Sequence, residues 1–249
     1  SSVCRIGTHL FQFVSILKAL GKKVSGRAVK RAIANWYDGK PVDKLAYQVI
    51  KYRSRENLTH KNLLQLAHPK GDGTGSTSAK YRLKVVRPYG HPTYLKQRFS
   101  EKGIDRQSER AALYRWVCGK DFDQAKLPTL VHAHLVIMGD YSSKDTKLET
   151  IRDYRLPWEA IPTEFLRDPE VWDRMLPNLG MTALIRNLGG MTELGTLAPL
   201  NSDVKLACMR LTDQDELCKA RVHPFNILVA HAVYKSGKSV KGSRTWKPI

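Results

Sequence analysis

Acidic residues are scarce at one end of this 249-residue chain: residues 1–100 hold 4 Asp and Glu against 20 Lys and Arg, whereas residues 101–249 hold 19 against 22. A solvated face has no reason to exclude carboxylates. A polyanion-binding face must exclude them, because each one repels phosphates. The net charge of +19 and pI near 9.9 therefore point to nucleic acid and, less specifically, to anionic membranes. Cysteine is also sparse. Cys4, Cys118, Cys208 and Cys218 form no CxxC pair, which argues against a zinc site or a disulfide framework and for a reducing, cytoplasmic setting. No apolar run approaches the length that spans a bilayer, and the opening SSVCRIGTHLFQF lacks the shape of a signal peptide.

Catalytic signatures are missing as well. There is no Gly-x-Ser-x-Gly elbow, no HExxH and no paired-carboxylate motif, and GDGTGSTS at 71–78 lacks the lysine of a P-loop. The shortage of carboxylates where positive charge is densest counts against a two-metal nuclease. His132 and His134 are two apart and diverge on a helix, so they make no metal pair. HLVIMGDYSSK at 134–144 resembles a D-x-S-x-S metal motif, but Lys144 stands where a serine is needed and would repel the cation. It reads instead as a helix end followed by a serine-capped helix. No enzyme, metal or cofactor is expected.

What the chain does contain is a stretch, Pro41–Lys70, with apolar periodicity and positive charge on separate faces. Leu45, Val49 and Tyr52 recur at helical spacing, and Lys44, Gln48, Lys51 and Arg55 follow the same spacing on another side. Thr59 is placed to cap a second short helix that Pro69 would stop after His68. Two short helices would then present Lys51, Arg55, His60, Lys61 and His68 near one corner, with Arg53 between them. Upstream, Thr8 and Ser25 are expected to cap two helices ended by Gly21 and Gly39. In the second of these Ala28, Val29, Ala32, Ile33 and Trp36 form the apolar stripe, and Arg27, Lys30 and Arg31 lie opposite. Downstream, Lys84 and Arg87 continue the basic run with Tyr81, Tyr89 and Tyr94 interleaved, a mixture suited to phosphate contact and base stacking.

Nine further helical patterns follow, from TYLKQRFSEK to HPFNILVAHAVYKSG, with Gly or Pro at their junctions and almost no period-two alternation. The fold class is therefore all-α, with stacked helix pairs in one module over 1–249 whose basic docking part is about 1–100. No repeat of fixed sequence length is visible.

VCRIGTHLFQF, GRAVKRAIANWY, KYRSRENLTHKNLLQLAHPK, MTALIRNLGGMT and ARVHPFNILVAHAVYKSGKSVKGSRTWKP occur in the order found in the Ro autoantigen family. The chain resembles that family's TROVE module, most weakly over 71–147. The resemblance implies HEAT-like antiparallel helical repeats forming a ring or part of one, with a Y RNA on a basic outer surface. It also implies a central hole that admits single-stranded 3′ ends of misfolded noncoding RNA, and an exoribonuclease, polynucleotide phosphorylase, tethered through the RNA. By resemblance the Y RNA contacts fall on Lys51, Arg55 and His68. Arg186 either faces the hole or is buried structural glue. The family's N-terminal extension and von Willebrand A domain are not in this sequence, which places Y RNA binding ahead of the hole's function. The expected activity is noncoding-RNA binding in small-RNA quality control or processing. The competing reading is a helical-repeat scaffold for an acidic protein partner.

Overall fold

A computed structural model describes residues 4–69, 106–140, 142–238 and 248. The chain divides into two compact units, Ser1–Val136 and Ile137–Ile249. The first contains α1 (Gly7–Ala19), α2 (Arg27–Asp38), α3 (Val42–Lys51), a hairpin of β1 (Ser54–Arg55) and β2 (Leu58–Thr59), α4 (His60–Ala67) and α5 (Arg106–Cys118). The boundary falls within α6 (Thr129–Met138). Among the described residues the architecture is all-α apart from this short hairpin, which pairs Ser54 with Thr59 and Arg55 with Leu58, and a single bridge residue, Lys238.

Local chemistry explains where these helices begin and end. Gly21, at φ 66°, closes α1: its N–H bonds the Lys18 carbonyl, and the Lys22 N–H bonds that of Leu17. Thr8 does not cap α1; the helix starts one residue earlier, and the Gln48 side chain accepts from the Gly7 N–H at 2.8 Å. Ser25 likewise yields the N-cap of α2 to Gly26. Thr59 does cap α4, in a reciprocal box with Asn62, and His68 ends that helix in the left-handed region at φ 47°.

The core of the first unit gathers Phe11 and Val14 of α1, Ile33, Trp36 and Tyr37 of α2, Leu45 and Ile50 of α3, Leu63 of α4 and Leu113 of α5. Ala28 and Ala32 are exposed, so the buried side of α2 is its C-terminal half and not the full stripe read from spacing. Polar bonds brace that end. Arg110 donates to the carbonyls of Tyr37 at 2.6 Å and Lys40 at 2.8 Å, and the Tyr114 hydroxyl donates to the buried Asp38 carboxylate at 2.9 Å. Burial and the Asp38 charge push the Tyr114 phenol up, so it stays a donor.

The second unit holds α7 (Lys144–Tyr154), α8 (Pro169–Met175), α9 (Met181–Glu193), α10 (Ser202–Thr212), α11 (Gln214–Ala220) and α12 (Pro224–Ser236). Ser143 and Asp168 cap α7 and α8 through their side chains, and Pro169 and Pro224 stand in first helical turns. Arg210 is the polar tie: it donates to the carbonyls of Leu176 at 2.6 Å and Leu179 at 2.7 Å and pairs with Glu216 at 3.1 Å. Helix α9 runs through Gly189 and Gly190 to Glu193 and packs against α12, where the Thr192 and Tyr234 hydroxyls lie 3.2 Å apart.

Candidate nucleic-acid interface

In α4 the residues at i, i+3, i+4 and i+7 are His60, Leu63, Leu64 and Ala67, the side turned to the core. His60 is thus not at the docking corner: it is 2% exposed. Its Nδ1 lies 2.7 Å from the Tyr37 hydroxyl, and Phe11, Trp36 and Tyr37 surround the ring. Burial lowers its pKa to about 4, against the opposing pull of the Gln48 and Tyr52 backbone oxygens, so it is neutral at physiological pH. The misplacement was legible in the heptad, since a histidine in register with two leucines belongs to the apolar stripe. Lys61, Gln65 and His68 share the opposite side, and all three are exposed.

Helix α3 stops at Lys51, so Lys51 and Arg55 are not one turn apart on a helix as the spacing suggested. Arg55 stands in the exposed hairpin, followed by Glu56 and Asn57 at φ 52° and 56°, a two-residue turn with both central residues left-handed. Only Asn57 in RENL hints at it, because Gly is absent and Glu is an uncommon occupant of that region. The hairpin is held by Leu58, 6% exposed, and by contact of β1 with α1. On α3, Lys44, Tyr47 and Lys51 lie at i, i+3 and i+7, one face of the helix. The Lys51 ammonium donates to the Tyr47 hydroxyl at 3.2 Å and lies 5.7 Å from the centre of the Tyr52 ring. Tyr47 was missed by charge-based reading although its spacing to both lysines was visible. Gln48 belongs to the scaffold through its bond to Gly7.

Arg53 is partly committed to the fold. Its guanidinium lies 3.1 Å from Nε2 of the buried His134, and because arginine only donates, that nitrogen is the unprotonated acceptor. On α2, Arg27 and Arg31 are exposed and Lys30 half-buried. The side chains of Arg27, Lys30, Arg31, Lys44, Arg55, Lys61 and His68 make no hydrogen bond or ion pair to any described residue. The carboxylates nearby are few: within residues 4–69 they are Asp38, which is buried on Tyr114, Asp43 and Glu56. Lys84 and Arg87, with the interleaved tyrosines, lie outside the described residues.

Arg186 is exposed, not buried glue. It borders a cavity of about 390 Å³ between α9 and α12, walled by Ile185, Leu188, Val229 and Val233 with Asn226 and Tyr234 at its margin. Among the described residues no group of three or more His, Cys, Asp or Glu could hold a metal ion, and no helix is long and apolar enough to cross a membrane. The interface is therefore a buried apolar scaffold that carries outward-facing cations on α2, α3, the hairpin and α4. Such a surface can neutralise phosphates.

The family model described as the TROVE domain matches residues 1–245. The chain is 34% identical to a Caenorhabditis elegans protein, "RNA-binding protein RO60", over 270 aligned residues, covering 99% of this chain and 41% of that one. A protein of the same name from Deinococcus radiodurans is 31% identical over 256, covering 99% and 40%. The crystal structure of the Deinococcus radiodurans RO (RSR) protein superposes with a TM-score of 0.68 at 30% identity, covering all of this chain and 43% of that one. The chain thus spans about two-fifths of the length of these relatives.

Proposed function

Since this chain belongs to the TROVE-domain family, we propose that it is a non-catalytic RNA-binding module that grips a Y or Y-like RNA on the basic face of its first unit. The observation that carries the reading is the set of exposed cations without described side-chain partners, Lys44, Arg55 and Lys61, beside Lys51 and the exposed His68, where carboxylates are almost excluded. RNA-binding is what the names of both relatives state of those proteins. Phosphate contacts supply most of the affinity, so binding is steeply salt-dependent. Selectivity comes from RNA shape, bulges and 2′-hydroxyls, because the A-form major groove hides base edges. The wider role in this reading is small-RNA quality control or processing in the cytoplasm. Single-stranded 3′ ends of misfolded RNA are further ligands in it, Arg186 a further contact, and an RNA-tethered exoribonuclease such as polynucleotide phosphorylase a partner.

The test is a salt titration of binding to a Y-like RNA and to a plain duplex of equal length, for the native chain and Lys51→Ala/Arg55→Ala. The Y-like RNA is expected to bind tighter at every salt. The double variant is expected to erase that preference and to reduce the slope of log K against log salt by roughly 1.4–1.8, about 0.7–0.9 for each lost phosphate contact. Equal binding of both RNAs, with no effect of the variant, would overturn the proposal and favour a scaffold for an acidic protein. Mg²⁺-dependent turnover of labelled RNA would overturn its non-catalytic part.

A further inference from the structure

A lysine on a helix surface ordinarily samples many rotamers, and fixing it on a phosphate costs side-chain entropy. Lys51 differs because two aromatic residues hold it. Its ammonium is 3.2 Å from the Tyr47 hydroxyl and 5.4 Å from the centre of that ring, so it sits off the hydroxyl edge and not over the face. Tyr52, at the end of α3, presents its ring 5.7 Å away, within cation–π range. Tyr47 is half-buried one turn before Lys51, on a helix whose opposite side, Leu45 and Val49, is locked in the core. The hydroxyl's position is therefore set by the scaffold, and the lysine is the movable member of the pair.

We propose that Tyr47 is a positioning residue for RNA: it holds the Lys51 ammonium in place before the ligand arrives. The inference rests on the RNA-binding reading and deepens it at one residue. Tyr47 carries no charge and adds no counterion release, so it acts on how well Lys51 is aimed and not on how many phosphates are met.

The experiment is a double-variant cycle of Tyr47→Phe and Lys51→Ala, read as affinity for a Y-like RNA across salt concentrations. Phe keeps the ring and its packing, and thermal melting checks that the fold is unchanged. Tyr47→Phe is expected to weaken binding about three- to tenfold with the salt slope unchanged, whereas Lys51→Ala lowers the slope by about 0.7–0.9. In the Lys51→Ala background, Tyr47→Phe should cost nothing further. A merely structural role predicts the same loss in both backgrounds and would overturn the proposal, as would native affinity in Tyr47→Phe. A second readout needs no RNA: NMR relaxation of the lysine ammonium groups should show Lys51 restricted in the native chain and freed in Tyr47→Phe. If Lys51 is equally mobile in both, positioning is wrong whatever the RNA result. If it is restricted and the native chain still shows no preference for the Y-like RNA, the RNA reading alone fails.

Discussion

His60 couples the stability of the basic face's scaffold to pH. Its imidazole is enclosed by Phe11, Trp36 and Tyr37, and burial lowers its pKa from 6.5 to about 4. Between those values the unfolded chain binds the proton and the native chain does not, so stability is fully present above pH 6.5 and is lost as pH falls toward 4. At 1.36 kcal/mol per pH unit the whole window is worth about 3 kcal/mol, of which about 2 kcal/mol is gone by pH 5. The assay is urea denaturation of the native chain and His60→Phe at pH 7, 6 and 5. The variant keeps ring packing but leaves the Tyr37 hydroxyl without its partner, so its absolute stability drops for that separate reason. The readout is therefore the pH slope. The native chain should lose about 2 kcal/mol more than the variant between pH 7 and pH 5. Parallel slopes would refute the reasoning, because they would mean that His60 is not held neutral by burial.

Two other perturbations test packing and charge elsewhere. A Cβ at Gly7 would lie 3.3 Å from His60 Nε2 and 3.3 Å from Tyr52 Cβ, so Gly7→Ala should destabilise by about 1–3 kcal/mol through overpacking, measured as a fall in the urea midpoint at constant m-value. Asp173 titrates in the opposite sense to His60: burial and the neighbouring carboxylates of Asp203 and Glu170 raise its pKa to about 6. Its folded pKa lies above the unfolded one, so its contribution is present below pH 3.8 and is lost as pH rises through 6. Discounted for solvent screening, Asp173→Asn should gain about 1 kcal/mol at pH 7 and nothing near pH 4, read by thermal melting at both.

Most helices were legible because their signals are local. Ser143, Asp168, Pro169 and Pro224 open helices through their own side chains, and Gly21 closes one because a left-handed residue is needed there. Thr8 and Ser25 carry the same chemistry without being used, since the Gln48 side chain, 41 residues away in sequence, reaches the α1 terminus and Gly26 takes the N-cap of α2. Arg55 was placed on the wrong element because periodicity continues past Lys51 on paper, whereas the backbone turns at Glu56–Asn57 to bury Leu58. Arg186 could not be placed from its helix alone. Its exposure at a cavity depends on α12, which arrives some forty residues later.

By itself, then, the sequence determined the helical class, the family and the basic, carboxylate-poor character of the first hundred residues. These depend on composition and on neighbours within a turn or two, which chain order already contains. Tertiary structure alone decided which cations remain available. It buried His60 among aromatic rings, engaged Arg53 with His134, moved Arg55 onto a hairpin and set the Lys51 ammonium against Tyr47. Whether a charged or polar side chain meets protein or solvent depends on what packs against its face, and that partner comes from elsewhere in the chain.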